Sequence, residues 1–350
     1  MLKASFKKHT LIFKTPVGTS RGVLETKDSW FLSVWQEETP EIIGVGECSI
    51  IPNLSIDDID NIEPMLEEVC ENITSFNDYL DDVLVPFPAI RFALEMAICD
   101  LSNGGIQVLF ESDFTNGIES IPINGLIWMG DENQMREQME QKIFHYPCIK
   151  MKIGAISFER EISIIKWLRE TYGNDFELRV DANGAFSIED VDEKLAELSK
   201  YNIHSIEQPI KQGQWSNMAK LCERSPIPIV LDEELIGVNT LEMKRLMLQT
   251  IRPSYIIIKP SLVGGFESSD DWISLAKEMN IGWWITSALE SNIGLNAIAQ
   301  WTYTLRTDMP QGLGTGGLYT NNIDSPLYIV GGNLWYEIEP TENDIVVNLN

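Results

Sequence analysis

Histidine and cysteine are scarce. The 350 residues hold three histidines, His9, His145 and His204, and five cysteines, Cys48, Cys70, Cys99, Cys148 and Cys222. The cysteine number is odd, and no two stand in a C-x-x-C, which argues against a disulfide framework and a cysteine zinc site. A chain of this length buries enough core without such staples. Basic residues are also few. Twenty-six Lys and Arg face 53 Asp and Glu, for a net charge of −27. So acidic a surface repels phosphate backbones and anionic bilayers, so neither a nucleic-acid nor a membrane partner is expected. No apolar run approaches the ~20 residues that span a bilayer, and residues 1–18 lack the apolar stretch of a signal peptide. The expected setting is therefore a reducing one, the cytoplasm. No G-x-G-x-x-G follows the first strand of the α/β region, which weakens a dinucleotide-binding reading.

What is present divides into two textures. Residues 2–14 and 30–35 alternate apolar and polar, as antiparallel strands do. The acidic stretch 56–82 reads as the solvated face of helices, and PAIRFALEMAICDL (88–101) as a helix buried on most sides. From about residue 121 short apolar strands alternate with amphipathic helices. The strands are expected at 121–128, 148–154, 177–184, 203–210, 227–234, 255–262, 282–289 and 310–314. Ser187 and Asp190 have capping-box spacing, and Gly173 marks a helix stop. Eight strand signals alternating with helices indicate a parallel α/β fold, and over about 200 residues a (β/α)8-type barrel fits best. An open doubly wound sheet is the alternative, because periodicity does not report closure. The tail from about 320 to 350 ends in alternating WYEIE and IVVNL, which could pair with the first domain.

Polar residues recur at one place, the C-terminal ends of successive strands. Lys150 and Lys152 end the second, Asp181 and Asn183 the third, Glu207 the fourth, Asp232 and Glu233 the fifth, and Lys259 the sixth. From Lys152 the steps to Asp181, Glu207, Asp232 and Lys259 are 29, 26, 25 and 27 residues, one βα unit each. In a barrel all of them reach one mouth. Three inward carboxylates cannot all ionise together without a cation, and an oxygen-only, incomplete ligand set suits Mg²⁺, with Mn²⁺ second. The competing reading is strand-end acids that cap the next helix or face solvent. In Lys150-Met151-Lys152 the strand period puts both ammonium groups on one face. Crowding and burial are expected to lower a lysine pKa there and make a base. A lone K-x-K is otherwise an exposed edge strand.

K-M-K, D-A-N, E-Q-P, D-E-E and I-K-P at these spacings resemble the enolase superfamily, in its muconate-lactonising-type branch. The GVGEC segment (44–48) and the 91–101 helix share the likeness. The resemblance implies a modified (β/α)7β barrel over 119–319 under an α+β capping domain of 1–118, joined by 320–350. It implies that Asp181, Glu207 and Asp232 bind Mg²⁺, that Lys152 is the base, and that Lys150 and Lys259 are catalytic partners. Lys150 would hold the substrate carboxylate and Lys259 would stabilise an enediolate. The loops Thr15–Gly22 and Cys48–Ile56 would close over the mouth. SALESNIGLNAIAQW (287–301) and QGLGTG (311–316) look most like the members that aromatise a hydroxycyclohexadiene carboxylate in menaquinone biosynthesis. Ser287, Gly312 and Leu313 would then touch the small anionic substrate. Dipeptide epimerases of this branch typically carry an acidic D-x-D on the eighth strand; here no acid lies between Gln311 and Tyr319. N-acylamino-acid racemisation, another lysine-type isomerisation, and an inactive metal-binding scaffold remain as alternatives. Oligomeric state is not legible.

Overall fold

The computed structural model describes residues 1–19, 22–57 and 61–337. Three long strands, β1 (Leu2–Thr19), β2 (Gly22–Gln36) and β3 (Thr39–Ser49), form an antiparallel sheet in that order. The helix Pro88–Ser102 lies on β3. It starts at a proline, which fits the first helical turn because its missing N–H has no partner to lose. Its two faces serve two cores. Ala89, Ile90, Ala93, Leu94 and Ala97 join the core under the capping sheet, while Phe92 and Met96 join the core of the barrel. Gly44 and Gly46 let β3 come this close. A Cβ on Gly46 would stand 1.9 Å from the carbonyl oxygen of Ala93, and one on Gly44 2.1 Å from that of Ala97.

The second half is a curled parallel sheet. Its strands are β5 (Gly125–Ile127), β6 (Cys148–Lys152), β7 (Glu177–Asp181), β8 (Ser205–Glu207), β9 (Ile229–Leu231), β10 (Tyr255–Ile258) and β11 (Gly282–Ile285). Each pairs with the next in chain order. The eighth position is filled by two residues. Gln311 bridges in parallel to Ile123, and Gly312 to Thr286 beyond β11. The sheet therefore closes, and the open-sheet alternative is excluded. The side chain of Gln311 extends this thin seam by accepting the Ile285 N–H at 2.7 Å.

The strands are shorter than their apolar runs suggest, and the segment 121–128 is not one strand. It divides into β4 (Ile121–Pro122) and β5. β4 pairs with β13 (Asn333–Tyr336), which pairs with β12 (Leu327–Val330). Part of the tail thus returns to the start of the barrel. The capping sheet is met earlier, where Tyr319 bridges Phe13. Residues 345–349 (IVVNL) and 58–60 of the acidic stretch lie outside the described residues. Gly173, at φ +75°, ends the helix Phe158–Tyr172. Ser187 and Asp190 do not form a capping box: Asp190 accepts from the Ser187 N–H and starts the helix Val191–Leu198 without bonding its first turn. A full capping box, Asp131 with Gln134, opens the helix Glu132–Lys142.

Candidate active site

Strand alternation turns Lys150 into the bore and Met151 into the core between strands and helices. Met151 is fully buried there. Lys150 reaches the Asp181 carboxylate at 2.9 Å and also bonds Glu207. Lys152 reaches Asp181 at 3.1 Å and donates to Asn183 Oδ1 at 2.8 Å. Lys259, on the strand across the bore, bonds Asp232 at 2.6 Å. Asn183 ties the cluster together. Its amide nitrogen donates to Glu233 at 2.9 Å, and its backbone N–H to Asp181 at 3.0 Å. Asn183 holds this place at φ +45°, a left-handed conformation that asparagine tolerates better than most residues.

Asp181, Glu207 and Asp232 each offer a carboxylate oxygen, and the three lie within 4.8 Å of one another. All three are buried. The second oxygen of Glu207 is buried with no hydrogen-bond partner. A convergent, oxygen-only set with a lone pair left unused fits a hard divalent cation. Burial pushes the Glu207 carboxyl up to about 8, with Asp181 and Asp232 adding to the rise and Lys150 opposing it. Burial also works against ionised Asp181, but Lys150, Lys152 and Lys259 outweigh it and hold that carboxyl well below its usual range.

The expectation of a depressed lysine is not met at Lys150. Burial pushes its pKa down, but the carboxylates of Asp181, Glu207 and Asp232 more than compensate and raise it. Lys150 touches two of these carboxylates directly, Asp181 and Glu207. The same balance, led by Asp232, raises Lys259.

A cavity of about 480 Å³ opens above this cluster. Lys150, Lys152, Lys259, Asn183 and Glu233 form its floor. Ser287 and Gly312 line it. Leu313 does not; its side chain is fully buried in the barrel core, and Gly314 and Thr315 line the cavity instead. Gly22–Leu24 and Ile51–Leu54 of the capping domain form the roof. Residues 20 and 21, in the first of the two expected loops, lie outside the described residues. None of the three histidines lines the cavity. His204 bonds Ser205 at 2.9 Å and lies 3.7 Å from Glu177, at the start of β7 and so at the other end of the bore. Lys142, Tyr146, Asn124 and Trp128 also line the wall, and sequence patterning did not single them out. Trp128 closes the first expected strand, but the signal of Asn124, Lys142 and Tyr146 is faint, because none of those three ends a barrel strand.

The family model described as enolase C-terminal domain-like matches residues 132–335. The chain belongs to the enolase superfamily. Within it, the chain is 48% identical to the o-succinylbenzoate synthase of Desulfotalea psychrophila strain LSv54, over 95% of this chain and 98% of that one. The crystal structure of MenC from the same strain superposes with a TM-score of 0.85 at 45% identity, covering 95% of this chain and 99% of that one. An L-Ala-D/L-amino acid epimerase of a Maribacter species matches at 27% identity over 85% of this chain and 86% of its own. Other epimerases and racemases match at 24–26%. This member of the superfamily thus groups with the o-succinylbenzoate synthases.

Proposed function

We infer that this protein is an o-succinylbenzoate synthase, a carbon–oxygen lyase of menaquinone biosynthesis. The 48% identity over nearly the full length carries the assignment. The reaction is syn-dehydration of 2-succinyl-6-hydroxy-2,4-cyclohexadiene-1-carboxylate to 2-succinylbenzoate and water. Asp181, Glu207 and Asp232 would hold the cation, which we propose to be Mg²⁺ because the ligand set is all oxygen and leaves room for substrate. A divalent ion supplies positive charge against the enediolate formed when a proton leaves the carbon beside a carboxylate.

The chain's own residues do the rest. Lys152, held by Asn183, takes the proton from C1 and returns one to the hydroxyl leaving C6, so both groups depart from one face. Lys150 positions the ring carboxylate. Lys259 stabilises the developing negative charge from across the bore. Loss of the C1–H and C6–O bonds leaves an aromatic ring, which drives the step. The capping domain, which we place at 1–118 over a barrel of 119–319, would exclude water; of the tail, Tyr319 bridges to it, while β12 and β13 stay with the start of the barrel. Five free thiols fit a reducing compartment, the cytoplasm. Among the described residues no helix is long and apolar enough to cross a membrane.

N-acylamino-acid racemisation uses the same lysine arrangement and is the second reading. One assay separates them. With Mg²⁺ and the cyclohexadiene substrate, the ultraviolet absorbance of the aromatic product should rise. No aromatisation, together with deuterium exchange at the α-carbon of an N-acyl amino acid in D₂O, would replace the synthase by the racemase.

A further inference from the structure

The proposed substrate carries two carboxylates, and the cation site and Lys150 account for one. The succinyl chain ends in the other. A carboxylate inside a cavity needs a cation or several donors. Lys150 is assigned to the first carboxylate, and Lys152 and Lys259 are paired with Asp181 and Asp232 at the reacting end of the cavity.

Lys142 is a fourth lysine on the same cavity, on the barrel wall beside Leu126 and Tyr146. It ends the helix Glu132–Lys142 and is half-buried. Its ammonium bonds the backbone carbonyl of Leu126. Among the described residues no carboxylate pairs with it. The other lysines withdrawn from solvent are matched: Lys244 by Asp271, and Lys27 by a cluster that contains Glu47. Burial alone lowers the Lys142 pKa, with no carboxylate opposing it. An ammonium has three donors, so the bond to Leu126 leaves two to spare. An uncompensated cation on a cavity wall costs stability unless the cavity's ligand is an anion.

We propose that Lys142 receives the succinyl carboxylate of the substrate and sets the preference of this site for dicarboxylates. The inference rests on the synthase reading for the ligand's identity. In this role Lys142 binds the part of the molecule that does not react. It therefore acts on affinity and not on the proton transfer.

The test compares two ligands that differ only at that terminus. The full-length protein with Mg²⁺ is titrated calorimetrically with 2-succinylbenzoate and with 2-butanoylbenzoate, which ends in a methyl group. The wild type is expected to bind the succinyl compound at least about tenfold more tightly, the scale of a charge-assisted bond. Lys142→Met and Lys142→Gln should both abolish that preference while keeping the affinity for 2-butanoylbenzoate. Lys142→Arg should keep the preference. Gln retains a donor for Leu126, so it decides the matter if the Met variant fails to fold. A wild-type preference that survives in Lys142→Gln, or no preference in the wild type, overturns the proposal. A wild type that shows the preference but never aromatises the cyclohexadiene substrate overturns the synthase reading and leaves the dicarboxylate site standing.

Discussion

Lys152 and Lys259 approach the carboxylate cluster from opposite walls. Lys152 sits on β6 and bonds Asp181 at 3.1 Å; Lys259 directly follows β10, four strands further round, and bonds Asp232 at 2.6 Å. A planar substrate between them would present one face to each. Only one of the two can then take a given proton, so the two lysines are not interchangeable.

Lys152→Ala should therefore remove the proposed base and spare the binding site. Aromatisation, followed by ultraviolet absorbance, should fall by at least about 10²-fold, the lower range for general acid–base catalysis. Affinity for 2-succinylbenzoate should change little by comparison. Undiminished turnover in this variant would contradict the role given to Lys152.

Glu207→Gln keeps the shape of one of the three proposed ligands and removes its ability to carry charge. Loss of supporting hydrogen bonds alone costs metal sites about 10–100-fold, so removal of a ligand's charge should weaken Mg²⁺ binding by at least about tenfold. Calorimetric titration with Mg²⁺ alone checks this without substrate. The same variant should fold, because Lys150 still has Asp181.

Glu95 makes stability depend on pH. It lies on the helix Pro88–Ser102, accepts the Phe266 N–H, and stands 3.5 Å from Arg91. Burial raises its carboxyl to about 7, with Arg91 and the Phe266 N–H opposing the rise. A raised folded-state pKa means the folded state holds the proton more tightly than the unfolded one. Its contribution is present in full below the unfolded value of 4.5 and is lost as pH climbs to about 7. The loss is at most about 3 kcal/mol. Urea midpoints should show Glu95→Gln losing less stability than the wild type between these pH values. Parallel profiles would show that Glu95 does not carry the effect.

Glu47 joins the capping sheet to the barrel. It accepts from Ser29 at 2.7 Å, from the Ser291 N–H and hydroxyl at 2.9 and 2.6 Å, and from the Gly294 N–H at 2.9 Å. It thus caps the helix Asn292–Thr304 with a carboxylate from the other domain. Lys27, fully withdrawn from water, has its ammonium on Ser29 and Ser49 beside this carboxylate. Glu47→Ala should cost about 3–5 kcal/mol in chemical denaturation, the range for stranding a buried charge. Glu47→Gln should cost less, since it keeps the acceptor.

Much of the site was legible because a parallel barrel converts chain periodicity into spatial convergence. Strand ends about 25–29 residues apart must meet at one mouth, so the sequence alone groups Lys152, Asp181, Glu207, Asp232 and Lys259. The strand period likewise separated Lys150 from Met151. Other features were hidden because they depend on position across the wall. Lys142 stands at a helix end and reaches the cavity only past β5. Leu313 follows Gly312, yet the alternation of the seam turns it into the core. The raised Lys150 pKa depends on which charge is nearest, and spacing along the chain does not report distance in the bore.

The eighth strand is the least bound of the barrel. Two backbone bridges and the Gln311 side chain hold it, where its neighbours share whole ladders. The loop it starts, Gly312 to Leu318, nevertheless forms part of the cavity wall. A lineage could thus exchange one substrate for another at this seam while the lysines and carboxylates carried by β6 to β10 stayed in place.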